Sequence, residues 1–391
     1  MDINKIKNKF KTKLTSLIKK KSFIIWNSIL LISILLNILS WYSSSFSDWF
    51  VNNIFIFNMN IFSRITGIFP FSVGEIMIIL GILLLLTALI FLILLPFLKK
   101  RLKKFYSIFY RFFAWVIVCI IFVMTCNCFI LYHTSTIEET YMEETINKKY
   151  EFDKLLILYE YVANNLNELS SQMERDEHGS IIYNKDIIEE AKVSMKQLGN
   201  DYARLSGYYP DAKKILFSDF MSQTYTSGVY FPFSMEANYN TSMYIANLPA
   251  VACHEYAHLK GYIYEDEANF IGYLACINSD DAFFKYSGYL SVLYYIENAV
   301  YENIDLINDE ELLNKLNNIC INDIVYADDI FLTQDTWDEI EDNSLFDTET
   351  IDQVSDTFSD VSLKLNGVED GQLSYSRVVN LLLKYYDNTL Y

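Results

Sequence analysis

The stretch His254-Glu255-Tyr256-Ala257-His258, followed closely by Tyr264-Glu265-Asp266-Glu267-Ala268-Asn269-Phe270, decides how the rest of the chain is read. The 391-residue chain contains only 4 histidines, and two of them stand here, four positions apart. Residues i and i+4 are neighbours on one face of a helix, so His254 and His258 can turn imidazole nitrogens toward one cation. Glu255 lies one position on, beside the pair rather than in line with it, where a base acting on activated water has to be. Proline is well tolerated in a first helical turn, so Asn247-Leu248-Pro249 opens this helix, and Gly261 is a natural C-terminal stop. The other two histidines, His133 at the end of an apolar run and His178 in a polar loop, read as bystanders.

Two histidines and a glutamate in this spacing form the zinc motif of metallopeptidases. A hydrolytic zinc takes three protein ligands and keeps one position open, so a third ligand is required. The nearest source is the acidic cluster Glu265, Asp266 and Glu267, whose members point in different directions on one helix. Ala268, Gly272 and Ala275 form a small-residue stripe that lets this helix approach the first closely, and Glu265 stands at the end of that stripe. Glu267 leads instead into the apolar face of Phe270, Ile271 and Leu274. Glu265 is therefore the preferred ligand and Glu267 the alternative. Asn269, one turn after Glu265, can accept a hydrogen bond from the non-ligating nitrogen of a zinc-bound histidine. In the expected mechanism zinc acidifies a water molecule and polarises the scissile carbonyl, while Glu255 takes the water proton and later passes it to the leaving amine.

Outward from the motif, charge divides the chain. Residues 1–132 carry 15 Lys and Arg against 3 Asp and Glu, a balance of +12, while the remainder carries −30. So acidic a part has no phosphate-neutralising surface, which argues against nucleic acid as a partner. Three apolar runs in the basic part, about 23–42, 73–97 and 112–132, are each about long enough to cross a bilayer. The first exceeds the usual apolar core of a cleaved signal peptide and lacks a clear cleavage site, so it reads as an uncleaved span. Between the first two spans, residues 43–72 mix aromatics with Asn and Ser, as suits a segment at the membrane interface. Basic loops stay in the cytoplasm. The lysines of residues 1–21 and the cluster Lys99-Lys100-Arg101-Leu102-Lys103-Lys104 agree, since two spans separate them. The expected arrangement is a multi-pass cell-membrane protein with a cytoplasmic N-terminus, a membrane domain over 1–132 and an extracytoplasmic domain over 133–391.

That outer part reads as mainly helical with a small sheet. Apolar periodicity predicts helices over about 136–170 and 184–206, then at about 281–303, 308–319, 334–342, 348–366 and 373–386. Tyr286 to Tyr301 is too short and too polar for a fourth span. Lys214-Ile215-Leu216-Phe217 and Val229 to Ser234 are short strand candidates. Pro232 marks the second as an edge strand, and an edge beside a peptidase cleft can pair with an extended substrate backbone. The 6 cysteines show no Cys-x-x-Cys spacing and read as small buried residues.

The residues also carry a resemblance. Pro70-Phe71-Ser72-Val73-Gly74-Glu75, Gly228-Val229-Tyr230-Phe231-Pro232-Phe233, Glu236-Ala237-Asn238, the histidine motif, Glu265-Asp266-Glu267-Ala268-Asn269-Phe270 and Ser374-Tyr375-Ser376-Arg377-Val378-Val379 resemble a bacterial membrane protein family catalogued as domain of unknown function 3810, over nearly the whole chain. The zinc part is similar to gluzincin peptidases, in which a Glu-x-x-x-Asp on a second helix provides the third ligand and an outer acid. That likeness implies Glu265 as ligand and puts Asn269 where gluzincins have Asp. An amide orients a histidine less strongly than a carboxylate.

Together these readings imply a membrane-anchored, mainly α protein. Three N-terminal transmembrane helices carry an extracytoplasmic α-rich (α+β) gluzincin-like zinc metallopeptidase domain with a small sheet. The expected partners are the lipid bilayer and a peptide or protein substrate. The alternatives are a zinc amidase acting on cell-wall peptides and a non-catalytic metal-binding membrane sensor. A cysteine engineered near residue 180 should react with a membrane-impermeant reagent in intact cells. Labelling only after lysis would place the domain in the cytoplasm.

Overall fold

The computed structural model describes residues 21–95, 103–146, 148–304, 309–344, 348 and 377–391. The predicted helix over 348–366, the start of the one at 373, most of the N-terminal lysines and most of the 99–104 cluster lie outside the described residues. The chain forms two compact units, Met1–Phe50 with Gly74–Thr134, and Val51–Val73 with Ser135–Tyr391. The expected boundary at 132/133 thus misses a return of the chain. Residues 51–73, the larger part of the segment between the first two apolar helices, belong to the C-terminal unit.

The first unit holds three helices long and apolar enough to cross a membrane: α1 (Lys21–Tyr42), then α3 (Val73–Leu94), then α4 (Lys103–Met124). The third begins about nine residues earlier than the apolar run suggests. Lys and Arg are good helix formers, so the helix includes Lys103, Lys104 and Arg111 ahead of the apolar run. It ends in a wide π turn at Thr125–Phe129 and a short 3-10 turn at Leu131–His133. The expected end of the second span at 97 falls outside the described residues, and α3 closes at Leu94. Aliphatic side chains of α1 and α3 face outward along most of their length, which suits surroundings that need no hydrogen bonds. Two polar contacts join elements of this unit: Asn37 Nδ2 donates to Thr125 Oγ1 at 3.0 Å and Tyr110 OH to the Ala88 carbonyl at 2.8 Å.

The second unit is built on helices packed around one central helix. α2 (Ile56–Thr66) continues from a π turn at Val51–Phe55. α5 (Phe152–Ser170), α6 (Ile187–Leu198), α7 (Leu248–Leu259), α8 (Glu265–Ile277), α9 (Ala282–Ile304) and α10 (Arg377–Tyr385) follow. α7 packs on α8, α6 and α9 and against the sheet, while α9 also packs on α5. Leu156, Leu158 and Leu166 of α5 are fully buried, each contributing about 1.5–3 kcal/mol relative to exposure. The helix expected over 136–170 is broken. A capping box between Thr136 and Glu139 starts a short helix at Ile137–Tyr141, Met142 leaves helical geometry, and α5 starts afresh at Phe152. Of the cysteines in this unit, Cys253 and Cys276 are buried with their sulfurs 4.0 Å apart, but Cys320 is exposed, as is Cys119 of the first unit, contrary to the reading of all six as buried.

The sheet has three strands in the order β1-β3-β2: β1 (Lys213–Lys214), β2 (Gly228–Phe231) and β3 (Glu236–Tyr239). β1 runs parallel to β3 with Lys213 opposite Asn238, and β2 runs antiparallel with Phe231 opposite Glu236. β2 stops before Pro232 and lies at an edge among the described residues, as proline requires. The central strand β3 escaped the sequence reading. Glu-Ala-Asn-Tyr has neither alternation nor β-branched residues, yet all four are buried. Glu236 and the Asn238 amide nitrogen find partners within the unit, whereas Asn238 Oδ1 is buried without one. Lys213 pairs with Glu236 and also donates to the carbonyls of Thr66 at 2.7 Å and Phe71 at 3.0 Å, while the Val73 amide donates to Glu236 at 3.3 Å. One buried ion pair therefore ties the sheet to the chain that leads into α3. Removing one member of such a pair leaves an uncompensated charge, at a cost of about 3–5 kcal/mol. Lys213→Met should lower the unfolding free energy of the purified protein by that amount, measured by denaturant titration.

Candidate metal centre

α7 carries the histidine pair because its ends are defined locally. Pro249 occupies the first turn. Past Leu259 the chain turns at Gly261, whose φ of +89° is left-handed. The Gly261 amide donates to the His258 carbonyl at 2.9 Å and the Tyr262 amide to the Ala257 carbonyl at 3.1 Å. The turn sends the chain back into α8, which opens at Glu265. A methyl group at Gly272 of α8 would stand 3.0 Å from the Ala250 carbonyl and 3.3 Å from the His254 amide nitrogen. The small-residue stripe does allow the two helices to meet backbone to backbone there.

This packing brings His254, His258 and Glu265 together, with one ligand atom of each within 4.8 Å of the others. His254 Nε2 lies 3.2 Å and His258 Nε2 3.5 Å from the Glu265 carboxylate. The opposite ring nitrogens are tied down. His254 Nδ1 donates to Asn269 Oδ1 at 2.8 Å, and His258 Nδ1 donates to the Tyr262 carbonyl at 2.8 Å. Asn269 is oriented in turn by donating to Tyr295 OH at 3.3 Å. With both Nδ1 atoms donating, both Nε2 atoms face the carboxylate, where neutral imidazoles would offer lone pairs to a divalent cation. Burial pulls the His258 ring toward the neutral form, but the Glu265 carboxylate overrides it and raises the ring to about 9. Burial opposes ionisation of Glu265, and His258 and His254 outweigh it, holding the carboxyl well below its usual range. The carboxylate thus demands positive charge at this position, which a proton or a cation can supply.

Glu267 is placed elsewhere. It is buried, accepts the Ile137 amide at 2.6 Å, and burial pushes its carboxyl up to about 8. Asp266 is also buried and raised, to about 6. Among the three acids only Glu265 meets the histidines.

Glu255 stands beside the cluster, its Oε1 4.0 Å from His254 Nε2. Burial pushes its carboxyl up to about 7, against the pull of His254 and His258. Its Oε2 is buried and has no hydrogen-bond partner, an arrangement that costs free energy unless a donor arrives. Gly228 of β2 makes the room for this side chain. A methyl there would stand 2.7 Å from both Glu255 Cγ and Cδ and closer still to Oε1. Gly228 opens a stretch that the resemblance includes without giving it a role in the site, and Tyr262 and Tyr295 carry no motif of their own. A glycine opening a strand gives a weak cue to close approach, but the two tyrosines are lost among 30.

Three candidate spanning helices and a His/His/Glu cluster beside a buried glutamate define a membrane protein with a potential cation site. The chain belongs to the family described as "Protein of unknown function (DUF3810)", whose model matches residues 50–383. That match leaves out α1, so it is shorter than the nearly full-length resemblance read from the motifs. No curated protein and no solved structure matches the chain.

Overpacking a filled position costs about 1–3 kcal/mol. Gly228→Ala should therefore destabilise the protein by about that much, and adding Glu255→Ala, which removes the clashing atoms, should recover most of the loss. Thermal unfolding of the two variants beside Glu255→Ala alone gives the coupling directly.

Proposed function

We propose that this protein is a membrane-anchored zinc metallopeptidase that hydrolyses peptide bonds at the outer face of the cytoplasmic membrane. His254, His258 and Glu265 are its zinc ligands and Glu255 its general base. The observation that carries the reading is the pair of Nε2 atoms facing one carboxylate, each ring held by a hydrogen bond at Nδ1. A buried glutamate oxygen without a partner stands beside them. Two neutral imidazoles and one carboxylate are a zinc donor set with room for a fourth ligand. Zinc bound there would supply Lewis acidity, polarising a carbonyl and making water easier to deprotonate.

The chain's own residues do the rest. Asn269 and the Tyr262 carbonyl fix the tautomers, and the partly exposed His254 and Glu265 leave the site open on one side. Glu255 Oε2 accepts a hydrogen bond from water, removes its proton and delivers it to the leaving amine. β2, an edge strand among the described residues, reaches the site at Gly228 and offers backbone groups to an extended substrate. Gluzincins use Glu-x-x-x-Asp where this chain has Glu265 and Asn269, so the amide performs the orienting role here.

The outer location rests on parity and charge. Residues 51–73 share a unit with residues 135–391 although two candidate spans lie between them. An even number of crossings leaves both on one side of a membrane, and the basic segments 1–21 and 99–111 assign the other side to the cytoplasm.

Full-length protein in detergent should contain about one zinc per chain by metal analysis and cleave members of a peptide library. Glu255→Gln should retain the zinc and lose about 10²–10⁴-fold in rate. A Gln variant as fast as wild type would remove Glu255 from its role. Full zinc occupancy without cleavage by the wild type would favour a metal-binding sensor, and cleavage confined to cell-wall peptide crosslinks would favour an amidase.

A further inference from the structure

The C-terminal unit carries an apolar face that its own core does not use. α2 presents apolar side chains on both sides, and its exposed Arg64 stacks over the Tyr208 ring at 3.8 Å. Val51 and Phe55 of the preceding turn and Met59 are fully buried, while Phe57, Ile61, Phe62 and Ile65 point outward. Ile68 beyond its end is 77% exposed. In water such a face would be a liability. The segment runs directly into α3 at Val73, the first residue of a candidate span, so the face adjoins the position where the chain meets hydrocarbon.

A second element stands at the same edge. Ile215 is held to the sheet by its amide, which donates to the Tyr239 carbonyl at 3.1 Å. Lys213, two residues earlier, grips the Thr66 and Phe71 carbonyls. The chain that leaves the sheet at Leu216 therefore starts within about 10 Å of chain reach from the residue that clamps the end of α2 and the approach to α3. There it exposes Leu216 at 77%, and Phe217 and Phe220 at 56% each. Ser218, between them, is buried and donates back to the Ile215 carbonyl at 2.7 Å. The acid of this loop, Asp219, is engaged by Ser242 at 3.2 Å. Lys214 beside the loop is exposed and suits anionic headgroups.

We propose that Leu216, Phe217 and Phe220 form a membrane-inserting wedge. With the outer side of α2 and with Ile68, it seats the C-terminal unit in the interfacial layer of the bilayer that α3 enters. The occupant of this face is lipid, because the face is continuous with the start of α3 and the exposed Lys214 beside it suits anionic headgroups. Val51 and Phe55 lie 3.0 and 3.2 Å from where a methyl on Gly261 would stand, and Gly261 ends the turn after His258. The turn that leads into α2 thereby packs directly under the turn that ends the histidine helix. This inference stands whether or not the cluster hydrolyses anything.

The test uses full-length protein with the accessible thiols removed (Cys119→Ala, Cys128→Ala, Cys320→Ser) and the buried Cys126, Cys253 and Cys276 left in place. Nitroxide labels are placed one at a time through Leu216→Cys, Phe220→Cys and, as a solvent-facing control on α6, Val193→Cys. In vesicles of phosphatidylcholine and phosphatidylglycerol, labels at 216 and 220 should relax several-fold more with oxygen, which concentrates in lipid, than with a water-soluble nickel chelate. The label at 193 should show the reverse. Labels at 216 and 220 that behave like the control would overturn the wedge. Protection from both reagents would assign the face to a protein contact and overturn it equally.

Discussion

The site depends on one close approach, that of Gly272 to the backbone of α7 at Ala250 and His254. Two helices that met through ordinary side chains would stand about 8–10 Å apart at their axes. A glycine at the crossing lets the two backbones meet where any larger side chain would hold them apart. Glu265 and Asn269 occupy the turns of α8 that precede the crossing, so the same contact delivers a carboxylate to the Nε2 side of the imidazoles and an amide to the Nδ1 side of His254. Slippage of α8 by one residue would lose both at once, because adjacent helical positions point about 100° apart.

A second constraint joins the site to the part of the chain that approaches the membrane. The Lys213–Glu236 pair is buried and therefore costs desolvation free energy, and it offsets that cost through contacts to three separate segments. Beneath the C-terminal turn of α7, Val51 and Phe55 pack against Gly261. The sheet and the histidine helix are thus both braced by residues 51–73, a stretch that precedes them by about 140 residues or more in the chain. Such long-range bracing suits a buried ion pair, whose geometry is demanding.

Legibility in the sequence tracked the locality of the signal. The spans, α7 with its proline start and glycine turn, and the i, i+4 relation of the histidines all follow from contiguous residues. The small-residue stripe also pointed to Glu265 over Glu267, since a stripe of Ala and Gly reports a helix–helix contact. β3 was missed because its residues are stabilised by partners distant in sequence: Glu236 by Lys213, and Asn238 through a bond to the Val229 carbonyl at 3.2 Å. The start of α4 was misplaced because hydropathy reports where lipid begins, whereas helix propensity continues through Lys and Arg.

The sequence by itself determined that two histidines and a glutamate share one short helical stretch, and the division into an apolar basic front and an acidic helical remainder. Both are properties of composition and short spacing. Only the tertiary structure decided that Glu267 turns to the Ile137 amide, that Gly228 makes room for Glu255, and that Tyr262 and Tyr295 hold the histidines and their amide in place. It likewise assigned residues 51–73 to the C-terminal unit. These outcomes are settled by packing between segments far apart in the chain, where backbone direction and free volume select among side chains that local pattern leaves equivalent.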